Sequence, residues 1–264
     1  MSSFTPEERP VLYTTPPPAR RRREIRMPSY RWSEPEVAVF VVLPVLLAAT
    51  LVWATFAAWR RSGASESASR RAAVVVGVDA AAWMALTFVA AMSGFLRRWD
   101  QSPPPFAFIP TGVLVVSMIL AFGRVGTRIA QYVPLWALVA IQSFRVPLEL
   151  AMHALYERGI MPIHMSYSGR NFDILTGITA IIVAILVKMG YAGRRLVAAW
   201  NVAGLALLVN VVAVAIASTP LFGYFGDHHL VTFVAHTPFV WLPAVMVVAA
   251  LAGHLVIFRA LGRL

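Results

Sequence analysis

The sequence predicts an all-α, polytopic membrane protein with seven transmembrane helices in one bundle. Three observations lead there. Of its 264 residues, 59% are hydrophobic, and the mean hydropathy is +0.70. Only 13% are charged, against about 25% in an average soluble domain. Long uncharged apolar runs recur over most of the chain, and about 20 residues rising 1.5 Å each suffice to cross the hydrocarbon core.

Taken in order, residues 1–35 form an Arg- and Pro-rich tail, with three prolines at 16–18 and four arginines at 20–23. No short apolar core follows a positive start, so no signal peptide is expected. The tail's composition is that of a segment disordered in isolation, and it is a natural contact for a partner subunit. Residues 36–264 form the transmembrane domain. The predicted spans cover 37–59, 72–96, 106–122, 129–152, 173–189, 196–218 and 238–258. Their connections are short and rich in Gly, Pro, Ser and Arg, and no internal repeat is legible.

The net charge of +11 comes from 22 arginines and a single lysine, Lys188, set against 12 acidic residues. The arginines sit in the tail, the loops and the helix ends, which suits anionic lipid headgroups. Aromatic and basic residues do not interleave on any soluble surface, so the lipid bilayer is the expected partner and nucleic acid is not. There are no cysteines. That excludes disulfides, thiolate nucleophiles and Cys-ligated metal sites.

Charge asymmetry sets the expected orientation. The loops after spans one, three and five, with the C-terminus, hold eleven Lys or Arg, and those after spans two, four and six hold four. The positive-inside rule then places the C-terminus in the cytoplasm and the N-terminus outside a bacterial inner membrane. The tail opposes this, because its seven arginines (Arg9, Arg20 to Arg23, Arg26 and Arg31) would have to cross.

The fourth span carries the stretch QSFRVPLELAMH, residues 142–153. Gln142, Arg145, Glu149 and His153 form one drifting stripe on a 3.6-residue helix. A charge at mid-membrane costs about 2.5–3.5 kcal/mol on insertion scales. Arg145 and Glu149, one turn apart, are expected to pair. Pro147 is expected to kink the helix and free the carbonyl of Ser143. Asn171 and Asp173 open the fifth span, where either is a helix cap. Asn210 lies in the outer half of the sixth, and Trp241 opens the seventh. Arg145, Glu149, His153, Asn171, Asp173, Asn210 and Trp241 are therefore the candidate ligand-binding residues of an outward-facing polar pocket. The plainer alternative is a salt bridge that only locks helices together. Asp79, in the inner half of span two, is expected to bond Asn201 or Trp200. His164, Met165 and Tyr167 are candidates for a lid.

No cofactor is expected. His228, His229 and His236 cluster near Asp227, but their spacing matches no standard zinc motif. A bis-histidine haem would need His153 with His236, since His254 lies in the opposite half from His153. The seventh span has no lysine for a retinal Schiff base, and His254 is followed by LVIF instead of completing the HxxxH of ceramidase-like zinc hydrolases. No GxSxG, HExxH or Walker-type motif is present.

The segments RVPLELAMH (145–153), GRNFDILTGITA (169–180) and PFVWLPA (238–244) resemble those of a group of uncharacterised bacterial heptahelical inner-membrane proteins. The resemblance covers residue 72 to the C-terminus. It implies the seven-helix fold and an outward N-terminus, and brings no activity. The long tail is a departure from that group. Three functional classes follow. The first is a non-enzymatic protein with a pocket for a small solute, an ion or a lipid headgroup. The second is an accessory subunit of a membrane complex, and the third a metal-dependent membrane hydrolase.

Overall fold

The structure, a computed structural model, describes residues 29–262. Among them the secondary structure is helical throughout, without strands. Six helices are long and apolar enough to cross a membrane: Pro35–Arg61 (α1), Glu66–Met92 (α2), Pro105–Phe122, Leu135–Glu157, Arg194–Ala217 and Leu242–Leu261. This is the architecture of a multi-pass membrane protein. Most of the proposed tail, residues 1–28, lies outside the described residues. Its end packs on the bundle: Tyr30 donates its hydroxyl to the carbonyl of Thr237 at 2.6 Å, and Trp32 meets Phe88 edge-on.

Local chemistry explains several departures from the predicted spans. The expected fourth span divides. Val133 is extended because Pro134 follows it, and this separates a short amphipathic helix, Arg124–Tyr132 (α4), from Leu135–Ala140 (α5). The turn Ile141–Phe144 tightens to 3₁₀ before Arg145–Glu157 (α6). The distortion expected at Pro147 thus falls in the turn that lacks its amide. The third span ends in Phe108–Phe122 (α3). The fifth is only Ile174–Lys188 (α7), 15 residues, or about 22 Å at the α-helical rise. It is followed by Arg194–Ala217 (α8). The last span begins as a π-helical turn, Leu242–Val247, and continues as Val248–Leu261 (α9).

Two groups of contacts mark opposite ends of the bundle. At one, Arg158 bonds Glu34 at 2.5 Å and also Glu36. The hydrogen bond from Arg158 holds the Glu34 carboxyl below its usual range. At the other, Arg61 donates to the carbonyl of Tyr132, Arg128 to Ser62, and Arg259 to the carbonyl of Ala121 and the hydroxyl of Thr127.

The interior is layered. One apolar cluster contains Leu148, Met152, Leu208, Phe239, Met246 and Ala250, and a second contains Leu138, Val139, Ala184, Val197, Val256 and Ile257. On each helix that contributes to both clusters, a buried polar residue falls between them: Thr55 on α1, Ser117 on α3, Gln142 on the fourth span, Asn201 on α8 and His254 on α9, with Arg145 one turn beyond Gln142.

Candidate functional site

The polar layer is organised around Arg145, the largest fully buried side chain. It lies near the middle of the span Leu135–Glu157. Its partner is not Glu149, as the one-turn spacing suggested. Arg145 Nη1 donates to Asp173 Oδ1 at 2.6 Å, and Nη2 lies 3.0 Å from His254 Nε2. A guanidinium only donates. His254 Nε2 must therefore accept, and the neutral ring carries its proton on Nδ1. That proton reaches Asn201 Oδ1 at 2.7 Å, while Asn201 Nδ2 donates to the backbone carbonyl of His254 at 3.0 Å. Thr176 donates its hydroxyl to Asp173 Oδ1 at 3.3 Å. The whole chain of bonds ties α6, α7, α8 and α9 at one depth.

Glu149 faces a different neighbour. Both of its oxygens accept from Asn171 Nδ2, at 2.9 and 2.8 Å. The same amide donates to the carbonyl of Met165 at 3.0 Å, and Asn171 Oδ1 accepts from the backbone N–H of Asp173 at 3.1 Å. The capping expectation changes accordingly. Asp173 stands at the N-cap of α7, yet its side chain caps nothing, because Arg145 claims it.

This pairing explains the short α7. Asp173 meets an arginine at mid-span, so the chain after Glu157 has to descend about 18 Å, twelve helical residues' worth, before α7 can begin. It does so in mostly irregular backbone, with His164, Met165, Ser166, Asn171 and Asp173 buried. Irregular backbone at membrane depth is tolerated where protein buries it or where it lines a cavity. The proposed lid residues are part of this descent. His164 lies 2.7 Å from Ser218 Oγ, and Tyr167 stacks on His153 with centroids 4.4 Å apart.

Glycines make room for the layer. A Cβ on Gly177 would meet Val146 and Arg145, and one on Gly204 would lie 2.7 Å from His254 and 2.8 Å from Thr176. Among the described residues, two buried polar atoms, Gln142 Oε1 and Arg145 Nε, have no hydrogen-bond partner.

Above the layer lies a cavity of about 490 Å³. Arg145, Glu149, Asn171 and Asp173 line one part of it. Apart from Thr219, the rest of its wall is apolar, built from Val113, Leu148, Met152, Leu208, Val212, Val231 and Met246 among others. Leu242, Pro243, Met246 and Val247 of the π-helical turn belong to that wall. Leu114 on α3 and Val209 on α8, both at least half exposed, line it too. The cavity thus reaches the apolar outer surface of the bundle between α3 and α8.

Of the seven candidate residues, four meet at this cavity: Arg145, Glu149, Asn171 and Asp173. Three do not. His153 is partly exposed and bonds Ser166 at 2.8 Å. Asn210 is exposed and donates to the carbonyl of Arg170 at 2.8 Å. Trp241 packs on Phe88 and donates to the carbonyl of Met84 at 3.1 Å. Asp79 meets neither expected partner: Asn201 is engaged by His254, Trp200 donates to Thr179, and Asp79 itself is exposed. Asn201, His254 and Thr176 were missed as members of the site. One signal was available for two of them. Asn201 lies seven residues after the start of α8, and His254 lies seven before the end of α9. Antiparallel neighbours at equal distance from one membrane face share a depth.

Among the described residues, no three His, Asp or Glu side chains are grouped to hold a metal ion. His236 Nδ1 lies 3.3 Å from the carbonyl of Thr232. No protein family, curated protein or solved structure matches the chain.

Proposed function

We propose that the chain is a non-enzymatic binding protein of a bacterial cytoplasmic membrane, and that it takes an amphipathic molecule into the cavity between α3, α6, α8 and α9. One observation carries this reading. A cavity of about 490 Å³ has an apolar wall, a polar end formed by Arg145, Glu149, Asn171 and Asp173, and an edge at the lipid-facing residues Leu114 and Val209. Ligand cavities are commonly about 300–1,000 Å³, mostly apolar, with a few placed polar groups. A small hydrophilic solute would find little to bond along most of this wall. A lipid-like molecule satisfies both parts.

In this reading the chain crosses seven times, with α7 and the descent before it making the fifth crossing. The arginine-rich end faces the cytoplasm by the positive-inside rule, and the N-terminus lies outside. The likeness to the bacterial heptahelical group belongs to the same proposal.

Native mass spectrometry of the purified chain tests it. The wild type should retain a lipid-sized adduct through mild delipidation. Val212→Trp, which fills the cavity, should lose the adduct while melting no lower. A wild type that never carries an adduct, or an adduct unaffected by filling, rejects the reading.

A second reading, a subunit of a larger membrane assembly, draws support from Asp79. It is exposed at the midpoint of α2 amid exposed Val75, Val78 and Leu86. A lone charge there costs about 2.5–3.5 kcal/mol unless a partner helix covers it. Asp79→Leu should then abolish a stoichiometric complex without lowering the yield of this chain. A complex that survives the substitution counts against Asp79 as its contact.

A further inference from the structure

We infer that the polar end of the cavity selects an uncharged head that donates one hydrogen bond, a hydroxyl carried on an apolar chain. This rests on the amphiphile-binding reading and deepens it by naming the ligand class.

One oxygen at this end is open. Glu149, Asn171 and Asp173, which line the cavity, carry five side-chain oxygens. Both Glu149 oxygens accept from Asn171 Nδ2, and Asn171 Oδ1 accepts from the backbone N–H of Asp173. Asp173 Oδ1 accepts from Arg145 and Thr176. Among the described residues, nothing donates to Asp173 Oδ2. The fully enclosed side-chain atoms without a partner there are Gln142 Oε1 and Arg145 Nε. Asp173 Oδ2 is not one of them, although the residue is only 4% exposed. It therefore touches open space, and the space that Asp173 lines is the cavity. Thr219, also on the wall, spends its hydroxyl on the carbonyl of Ile216. An ionised carboxylate oxygen only accepts, and one left unpaired at depth carries a desolvation cost. The ligand group that meets it has to be a donor.

Charge decides which donor fits. Arg145 and Asp173 cancel each other at 2.6 Å. His254 is neutral, since its Nε2 accepts from Arg145. Glu149 is buried, and its side-chain partner is the uncharged amide of Asn171. A buried carboxyl without a paired cation keeps its proton in preference to a bare charge. The polar end is therefore balanced before a ligand arrives. An ammonium would add an uncompensated positive charge and a carboxylate a negative one, each stripped of water in an apolar setting. An ether or an ester is uncharged but brings no donor. A primary amide brings two donors to one open oxygen. A hydroxyl brings one donor and no charge, and its own oxygen can accept from a donor left at this end.

Four amphiphiles with one chain in common separate these cases: dodecanol, dodecyl methyl ether, dodecylammonium and dodecanoate. On the wild-type chain in a neutral maltoside detergent, native mass spectrometry of equimolar pairs should show the alcohol retained about tenfold or more over its methyl ether, the worth of one hydrogen bond to a charged group. The alcohol should also be retained above both ions. Asp173→Asn turns the site around. Arg145 only donates, so the amide oxygen stays on its side, and Nδ2 replaces Oδ2 as a donor facing the ligand. The alcohol's lead over the ether should then fall to near unity. Equal retention of alcohol and ether by the wild type, or greater retention of either ion, overturns the inference and leaves the cavity reading intact. So does an alcohol lead that survives in Asp173→Asn. If none of the four is retained, the cavity reading fails, and the inference with it. The wild-type competitions decide the matter even where Asp173→Asn does not fold.

Discussion

The guanidinium of Arg145 donates to the carboxylate of Asp173 at 2.6 Å, with the two side chains 1% and 6% exposed. The pair ties the middle of the fourth span to the start of α7, 28 residues later. Breaking a buried pair by removing one partner strands the other charge, at a cost of about 3–5 kcal/mol. Arg145→Ala and Asp173→Ala should each lower the melting temperature and folded yield severely. The double variant Arg145→Met with Asp173→Leu should recover much of the loss. Additive losses in the thermal melts would show that the two do not act as a unit.

Gly204 on α8 faces His254 of α9 and Thr176 of α7. An added methyl would sit 2.7 Å from the ring and 2.8 Å from Thr176, both held in place by hydrogen bonds. Gly204→Ala should destabilise by about 1–3 kcal/mol, the cost of overpacking. Gly77→Ala, whose methyl would meet Val52 at 3.4 Å, should be neutral or stabilising, because alanine favours helix by up to about 1 kcal/mol. A melt in which both behave alike would contradict the close packing at Gly204.

Gln142 donates to the carbonyl of Ala250 at 3.4 Å, and its Oε1 accepts nothing. A long bond and an orphaned acceptor make a weak balance. Gln142→Leu should leave the melting temperature unchanged or raise it. A fall of several degrees would mean that the amide serves an interaction beyond this bond.

Part of the site was legible from residue type. Charged and amide side chains inside apolar runs mark themselves, because each is costly in hydrocarbon, and Arg145, Glu149, Asn171 and Asp173 all meet at the cavity. Their pairing was not legible. Helical spacing proposed Arg145 with Glu149, but a neighbour one turn away is only one option when another helix offers a carboxylate at the same depth. Asp79 shows the same limit from the other side: a mid-span acid looked like a partner for Asn201, and the packing turned it outward.

The sequence by itself determined that the chain is helical and multi-pass, since about 20 apolar residues need no tertiary information to satisfy every backbone bond within one helix. It also determined where the arginines gather, because their hydration keeps them at helix ends. Only the tertiary structure decided that residues 158–173 descend into the bundle and that α7 starts at mid-depth. The same holds for the division of roles, with Arg145 spent on Asp173 and Glu149 left to an amide. Those outcomes depend on which buried donors and acceptors from four helices reach one another, and that is a property of packing in three dimensions that no local periodicity encodes.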